Sequence, residues 1–361
     1  MSALGRSLAA GPFFLLAFVC LAAWALYATS AYAVPIALAV LLWFLINGLA
    51  DVMRARLAPV RALPRGVAQA AAALLLSAAM AVAGRLVAQS LADLASGLSF
   101  DDSPLLGRAR AALAATGFDF DAARTSLIDG LRLDEVLGIA LSTAQGILSN
   151  VALVFLYTLF LLIDERFYEA KLRALVPDPD RRARLRAQLT DISRETRLYL
   201  WLMTLVSAGV GLATWAACAA AGVQGAAVWG FLAFGLNFIP TIGSILGVAA
   251  PALFATLTLG DPTVLLALIA ALGAIQFTAG ELVVPRIMGA TLNLASFVIL
   301  LTLVVWGALW GAAGMFLAIP ITVIGVMVLA RFESTRPIAI LLSKTGNVPA
   351  PEPPPARRDA A

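Results

Sequence analysis

The sequence predicts an all-α polytopic membrane protein with about 7–8 transmembrane helices and with broken or re-entrant helical segments in its C-terminal half. Three observations carry this. Of 361 residues, 61% are hydrophobic and 13% charged, against roughly 45–50% and 25% in soluble domains. Between Leu198 and Ala330 the only charges are Asp261, Glu281 and Arg286. In that same half the apolar runs 226–259 and 296–330 exceed one ordinary crossing and contain glycine and proline, so each is either a tilted span or two shorter pieces.

Taken in order, apolar windows place spans near 13–29, 32–50, 66–88, 147–163, 198–220 and 262–280, with the two long runs around the last. Arg6, the apolar stretch after it and "AYA" at 31–33 have the layout of a signal peptide. A second apolar run starts at once, so the expectation is an uncleaved hairpin. The organisation is then an N-terminal hairpin and basic loop over 1–65, and helices over 66–163 flanking an extracytoplasmic amphipathic segment at 90–146. A charged helical segment follows at 164–197, then a C-terminal core at 198–345 and a Pro-rich tail at 346–361 with no apolar face to bury.

Charge fixes an expected orientation. The loop 51–65 carries Arg54, Arg56, Arg61 and Arg65 against Asp51, and 164–197 carries nine Lys/Arg, including "RRARLR" at 181–186. Segment 90–146 carries four arginines and eight acids. Positive loops stay in the cytoplasm, so both termini are expected inside and 90–146 outside, as in a bacterial inner membrane protein. Arg85, near the end of its span, is placed to snorkel to the outer headgroups. On the charged helix, Leu185, Leu189 and Ile192 form one stripe. It fits packing within the protomer or a contact between subunits.

Several chemistries are excluded by composition. Histidine is absent, which removes Ser/His hydrolysis, His-ligated metals and histidine proton relays. Cys20 and Cys218 each lie alone in apolar runs and form no CxxC motif. No phosphate-binding glycine loop is present. The chain is therefore read as a non-enzyme without cofactor, metal or nucleic-acid partner, whose arginines report orientation in a lipid bilayer.

The informative residues are polar or helix-breaking groups inside the apolar half. In "NFIPTIG", 237–243, Pro240 lacks an N–H and Gly243 tolerates sharply turned backbone. Backbone freed there has to face protein or a water-filled cavity, and Asn237 can both donate to and accept from an occupant. The alternative is a proline kink satisfied by neighbouring helices and Ser244. Pro251 follows in the same run. "GSILG" at 243–247 and "GALWG" at 307–311 allow close helix approach, and "GALWGAAGMFLAIP" at 307–320 repeats the scheme of small residues followed by proline. Glu281 and Arg286 flank Pro285; they fit an interfacial bridge, or a titrating carboxylate with its partner. Asp261, in a Gly-Asp-Pro sequence, is ordinary turn chemistry.

"LNFIPTIG", "Q…VVPRIMG…LNL" and "WGAAGMFLAIPITVI", in that order, resemble the autoinducer-2 exporter family of bacterial membrane transporters, which are permease-like. The matching positions are Asn237, Pro240, Gly243, Gln276, Pro285, Gly289, Gly311, Gly314 and Pro320. Two departures stand out. Ala279-Gly280-Glu281 occupies the place where many members carry an acid followed by Gly-Asn, so the carboxylate has moved by two residues, and Ser296 stands where a proline usually follows. The resemblance implies a homo-oligomeric permease, with members linked to autoinducer-2 export and others to sodium/proton antiport.

The expected function is therefore export of a small polar solute, with signalling molecules of the autoinducer-2 type among the candidates, by alternating access around the broken runs. Its transport residues would be Asn237, Pro240, Gly243, Gln276, Glu281 and Arg286, with Pro285, Gly289, Gly307, Gly311, Gly314 and Pro320 as a structural frame. Two readings stand beside it: cation/proton antiport through Glu281, and a non-transport scaffold acting through the charged helix.

Overall fold

The computed structural model describes residues 3–56, 64–97, 151–259, 261–288 and 294–347. The expected outer segment 90–146 lies outside the described residues from 98 onward, as do Gly289 and the tail beyond 347. Among the described residues there is no β-strand; one isolated bridge joins Leu294 and Ser343.

The helices are α1 Ala3–Ala28, α2 Ser30–Arg56, α3 Arg65–Gly97, α4 over 151–164, α5 Tyr168–Leu175, α6 Pro179–Ala220, α7 Ala226–Leu236 and α8 Ile242–Thr258. There follow α9 Pro262–Phe277, a π-helical turn Thr278–Val283, α10 Val284–Met288, α11 Ser296–Ala330 and α12 Arg336–Leu342. Ser30–Arg56, Arg65–Ala92, Pro179–Ala220, Pro262–Ile287 and Ser296–Ala330 are long and apolar enough to cross a membrane, and Ala17–Ala28, Ala226–Leu236 and Ile242–Thr256 are shorter apolar helices. Leu74, Leu212, Leu253 and Val304 point outward from these helices, each more than 60% exposed. Lipid covers such faces; water does not.

The chain divides into two compact units, one of Met1–Trp43, Leu153–Ile192 and Asn293–Ala361, the other of Phe44–Ala152 and Ser193–Leu292. In the first, helical hydrogen bonds continue across Thr29, from its N–H to Ala25 and from the Ala33 N–H to Thr29. Where the sequence suggests a hairpin, α1 and α2 thus follow one another with a single interrupting residue. The Leu26 carbonyl beside that interruption accepts from the Trp310 indole N–H at 3.0 Å.

α11 is two helices meeting at Gly311, whose φ of 62° and ψ of −141° suit a residue without Cβ. A Cβ on Gly314 would overlap the carbonyl of Trp306, and one on Gly307 would lie 3.0 Å from Met315. Residues eight apart in a straight helix are separated by about 12 Å, so the run folds back on itself at Gly311. Pro320, by contrast, sits buried within continuing helix.

α6 runs 42 residues without interruption, and from Ser193 onward it belongs to the second unit. The charged segment and the following span are one helix, because no proline or glycine intervenes between Asp180 and Ala208. Its end is a glycine stop: Gly222 has φ 73°, the Gly222 N–H bonds to Ala219 and the Val223 N–H reaches back to Cys218. α7 then packs antiparallel on α6 at Gly211 and Gly230. A Cβ on either would stand 2.7–2.8 Å from the other's carbonyl oxygen, so the absence of side chains brings the two backbones together. Cys218, Val223, Ala255, Leu268 and Leu272 fill one end of this bundle, and Val206, Val210, Ala233 and Ala279 the other. Asp261 caps α9, accepting from the Thr263 N–H at 2.8 Å, with Pro262 in the first turn.

Candidate functional site: the broken hairpin of the second unit

The run 226–259 is a helix-turn-helix. α7 ends at Leu236, and residues 237–241 make a compact turn in which the N–H groups of Asn237, Phe238 and Ile239 still bond back to Ala233, Gly235 and Leu236. Thr241 has φ 65° and ψ −60°, and the Ile242 N–H bonds to the Pro240 carbonyl at 2.7 Å. This is a γ-turn of the rare positive-φ hand. Such backbone in a β-branched residue costs about 1–3 kcal/mol and persists only where its surroundings enforce it. Gly243 begins the return helix, and any Cβ there would overlap the Leu236 carbonyl. Its role is close approach; Thr241 carries the unusual dihedral.

Phe238 and Ile239 are buried and Thr241 is exposed at the tip. The Asn237 side-chain amide donates to the Ser207 hydroxyl at 2.9 Å. Ser207 is 0% exposed on α6, and the Asn237 Oδ1 makes no hydrogen bond among the described residues. Arg197 is the last charge on α6, so with Arg197 at the headgroup edge Ser207 lies about 15 Å into the apolar layer. The eleven residues of α7 span a similar depth, about 16 Å, from the other side. Both lengths put the turn near the middle of a hydrocarbon core about 30 Å thick.

Gln276, on α9, lies at the same end of the bundle. It is 8% exposed and its Nε2 is buried with no hydrogen-bond partner among the described residues. It presses on Gly247 of α8, where a Cβ would stand 2.7 Å from that nitrogen.

The structure thus brings Asn237, Pro240 and Gly243 together in the turn and sets Gln276 against α8. It leaves Glu281, Pro285 and Arg286 exposed. Glu281 lies in the π-helical turn and makes no ion pair with Arg286 among the described residues; the bridge that their spacing allows is not formed. It lies about 30 Å along the helix from Asp261, at the far edge of an apolar layer of that thickness. Gly307, Gly311, Gly314 and Pro320 belong to α11 in the first unit. Ser207 and Gly247 were not singled out as site residues from sequence. A lone serine in the apolar part of a helix is the one signal that points to the first, and the second closes the "GSILG" pattern that was read only as close helix approach.

The charged start of α6 carries a groove lined by Glu169, Arg182, Arg186, Thr190 and Asp191. Arg186 pairs with Glu169 at 2.8 Å, both well exposed, an arrangement that contributes about 0–1 kcal/mol. Leu185, Leu189 and Ile192 are half-buried.

A family model described as AI-2E family transporter matches residues 13–333. The chain is similar to the AI-2 transport protein TqsA of Escherichia coli K12, 35% identical over 204 residues, covering 56% of this chain and 58% of that protein. It is also similar to YhhT of the same strain, 30% identical over 217 residues, 58% of this chain and 61% of the other. A third relative is YrrI of Bacillus subtilis 168, 35% identical over 100 residues, 28% of each chain. The matched region thus spans about three fifths of TqsA and of YhhT.

Proposed function

The chain belongs to the AI-2E transporter family, and from that premise we propose that it exports a small polar solute, of the kind TqsA's name assigns to that protein, by secondary-type alternating access. Family and relatives are transporters and not enzymes, and the chain is a multi-pass membrane protein. In our reading it lies in a bacterial inner membrane as a homo-oligomer with both termini cytoplasmic, so that the α7–α8 hairpin enters from the outer face.

One observation carries the reading. A hairpin broken at mid-membrane depth carries Asn237, bonded to Ser207, and packs against Gln276, whose Nε2 has no partner among the described residues, where lipid can satisfy none of them. Irregular backbone at that depth is tolerated where it lines a pathway or is packed in protein. Asn237 and Gln276 bind the solute in this reading, and Pro240 and Gly243 shape the turn that moves. Glu281 and Arg286 act at the cytoplasmic mouth, where an exposed acid and base meet entering solute.

The test is transport in liposomes containing the purified protein. Autoinducer-2 and other small polar solutes are offered with and without imposed proton and sodium gradients. Saturable, protein-dependent movement supports the reading. Its absence for every solute contradicts it. Gradient dependence lost in Glu281→Gln would favour cation/proton antiport.

A further inference from the structure

We propose that Arg54, with Arg65, Arg194 and Arg197 around it, forms a binding site for the phosphate of an anionic phospholipid headgroup. The site is separate from the α7–α8 hairpin and does not depend on which solute moves. Asn47, Asp51 and Arg54 follow one another on one face of α2, at steps of four and three. Three contacts hold that face against α3 and α6. Gln69 of α3 donates to the Asn47 Oδ1 at 2.7 Å. On α6, Arg197 pairs with Asp51 at 2.8 Å, and the Trp201 indole N–H donates to the Leu45 carbonyl at 3.0 Å, its ring lying where a Cβ on Gly48 would be.

Continued by one turn, the same face carries Arg54 toward the corner between the three helices. Arg54 lies about 4.5 Å beyond Asp51 along α2, Arg194 the same distance before Arg197 on α6, and Arg65 about 6 Å before Gln69 on α3. Four guanidinium groups therefore stand against two carboxylates, Asp51 and Glu195, and positive charge is in excess. Asp51 is paired with Arg197, and Arg65, Arg194 and Glu195 each have an interaction within the protein. Arg54 makes no ion pair or hydrogen bond among the described residues, although its Nε is buried. A guanidinium cannot shed its charge, so a buried one calls for an anion.

Two phosphate oxygens can accept from Nε and one Nη side by side, the geometry that suits arginine best. Depth selects the carrier of that phosphate. The Asp51–Arg197 pair puts Asp51 level with Arg197 at the headgroup edge, so Arg54 sits one turn farther out, among the lipid phosphates. Val52, Val67 and Leu198, beside the cluster in sequence, are each about half exposed, apolar surface for acyl chains to cover. Basic pockets between transmembrane helices bind anionic headgroups on the cytoplasmic side, the side assigned to Arg54 by the charge distribution.

The test measures binding of fluorescently labelled phosphatidylglycerol to the purified full-length protein in detergent. Wild type is compared with Arg54→Leu, Arg54→Lys and Arg56→Leu, the last removing the same charge from an exposed position at the same helix end. Unlabelled phosphatidylglycerol, phosphatidylcholine and inorganic phosphate compete, and melting curves check each fold. The expected result is saturable binding to the wild type, displaced by phosphatidylglycerol but not by equal concentrations of phosphatidylcholine or inorganic phosphate. Arg54→Leu should raise the dissociation constant about tenfold, Arg54→Lys, which keeps the charge without the fork, about threefold, and Arg56→Leu should leave it unchanged. Equal weakening in Arg54→Leu and Arg56→Leu would reduce the effect to net charge and overturn the site. Displacement by phosphatidylcholine overturns the anionic class, and displacement by inorganic phosphate assigns the site to a free anion and overturns the lipid. If Arg54→Leu does not fold, Arg54→Lys and the wild-type competition decide in the same way.

Discussion

The Asn237 amide donates to the Ser207 hydroxyl at 2.9 Å, joining the end of α7 to the middle of α6 at a fully buried atom. Removing the acceptor leaves a donor that lipid cannot satisfy. Interhelical polar bonds in membranes contribute about 0.6 kcal/mol on average and about 1.7 at most. Ser207→Ala should therefore destabilise the protein by about 1 kcal/mol, read from denaturation in detergent, and Ser207→Thr should restore most of the loss. Equal stability of all three would mean that the bond contributes nothing.

Thr241 holds a positive φ in a γ-turn closed by the Ile242 N–H. Glycine adopts that geometry without strain, and its extra unfolded-state entropy offsets about 0.5–1 kcal/mol of the relief. Thr241→Gly should gain about 1 kcal/mol net, whereas Thr241→Val should not. A less stable glycine variant would show that the threonine side chain, and not the backbone, is what the site retains.

Gly211 and Gly230 cross so closely that a methyl on either would meet the other's backbone. Gly211→Ala should lose about 1–3 kcal/mol. Gly209→Ala, with nothing within 4 Å of its new methyl, should gain up to about 1 kcal/mol from helix propensity. Melting curves of the two variants check the contrast.

Orientation is tested by labelling. In a Cys20→Ser background, Gln224→Cys should react in intact cells with an impermeant thiol reagent and Ala183→Cys only after lysis, since both positions are exposed and the basic segment is assigned inside. The opposite pattern would invert the topology.

The break at 237–241 was legible because Pro240 has no N–H and lies in an apolar run. Its geometry was not. Sequence reasoning gives the unusual dihedral to Gly243, but helix packing uses that glycine to pass the Leu236 carbonyl and forces Thr241 into the strained turn. Pro251 and Pro320 look like breaks of equal strength, yet both lie in continuous helix, while Gly311 reverses the second run. A neighbouring helix can meet a carbonyl that proline frees, and only tertiary contacts decide where that happens. The packing neighbours of Asn237 and Gln276 were hidden for the same reason: Ser207 and Gly247 lie 30 and 29 residues away in sequence, on different helices.

The most direct measurement of the central claim is exit of autoinducer-2 from preloaded liposomes, comparing the wild type with Asn237→Leu. This substitution keeps the side chain's bulk and removes its hydrogen bonds at the turn. If the broken hairpin binds the solute, wild-type protein should speed exit well above the protein-free rate. Asn237→Leu should slow that exit about tenfold or more while folding and inserting normally. Wild-type liposomes that release solute no faster than empty ones, or an Asn237→Leu variant that exports at the wild-type rate, would contradict the account.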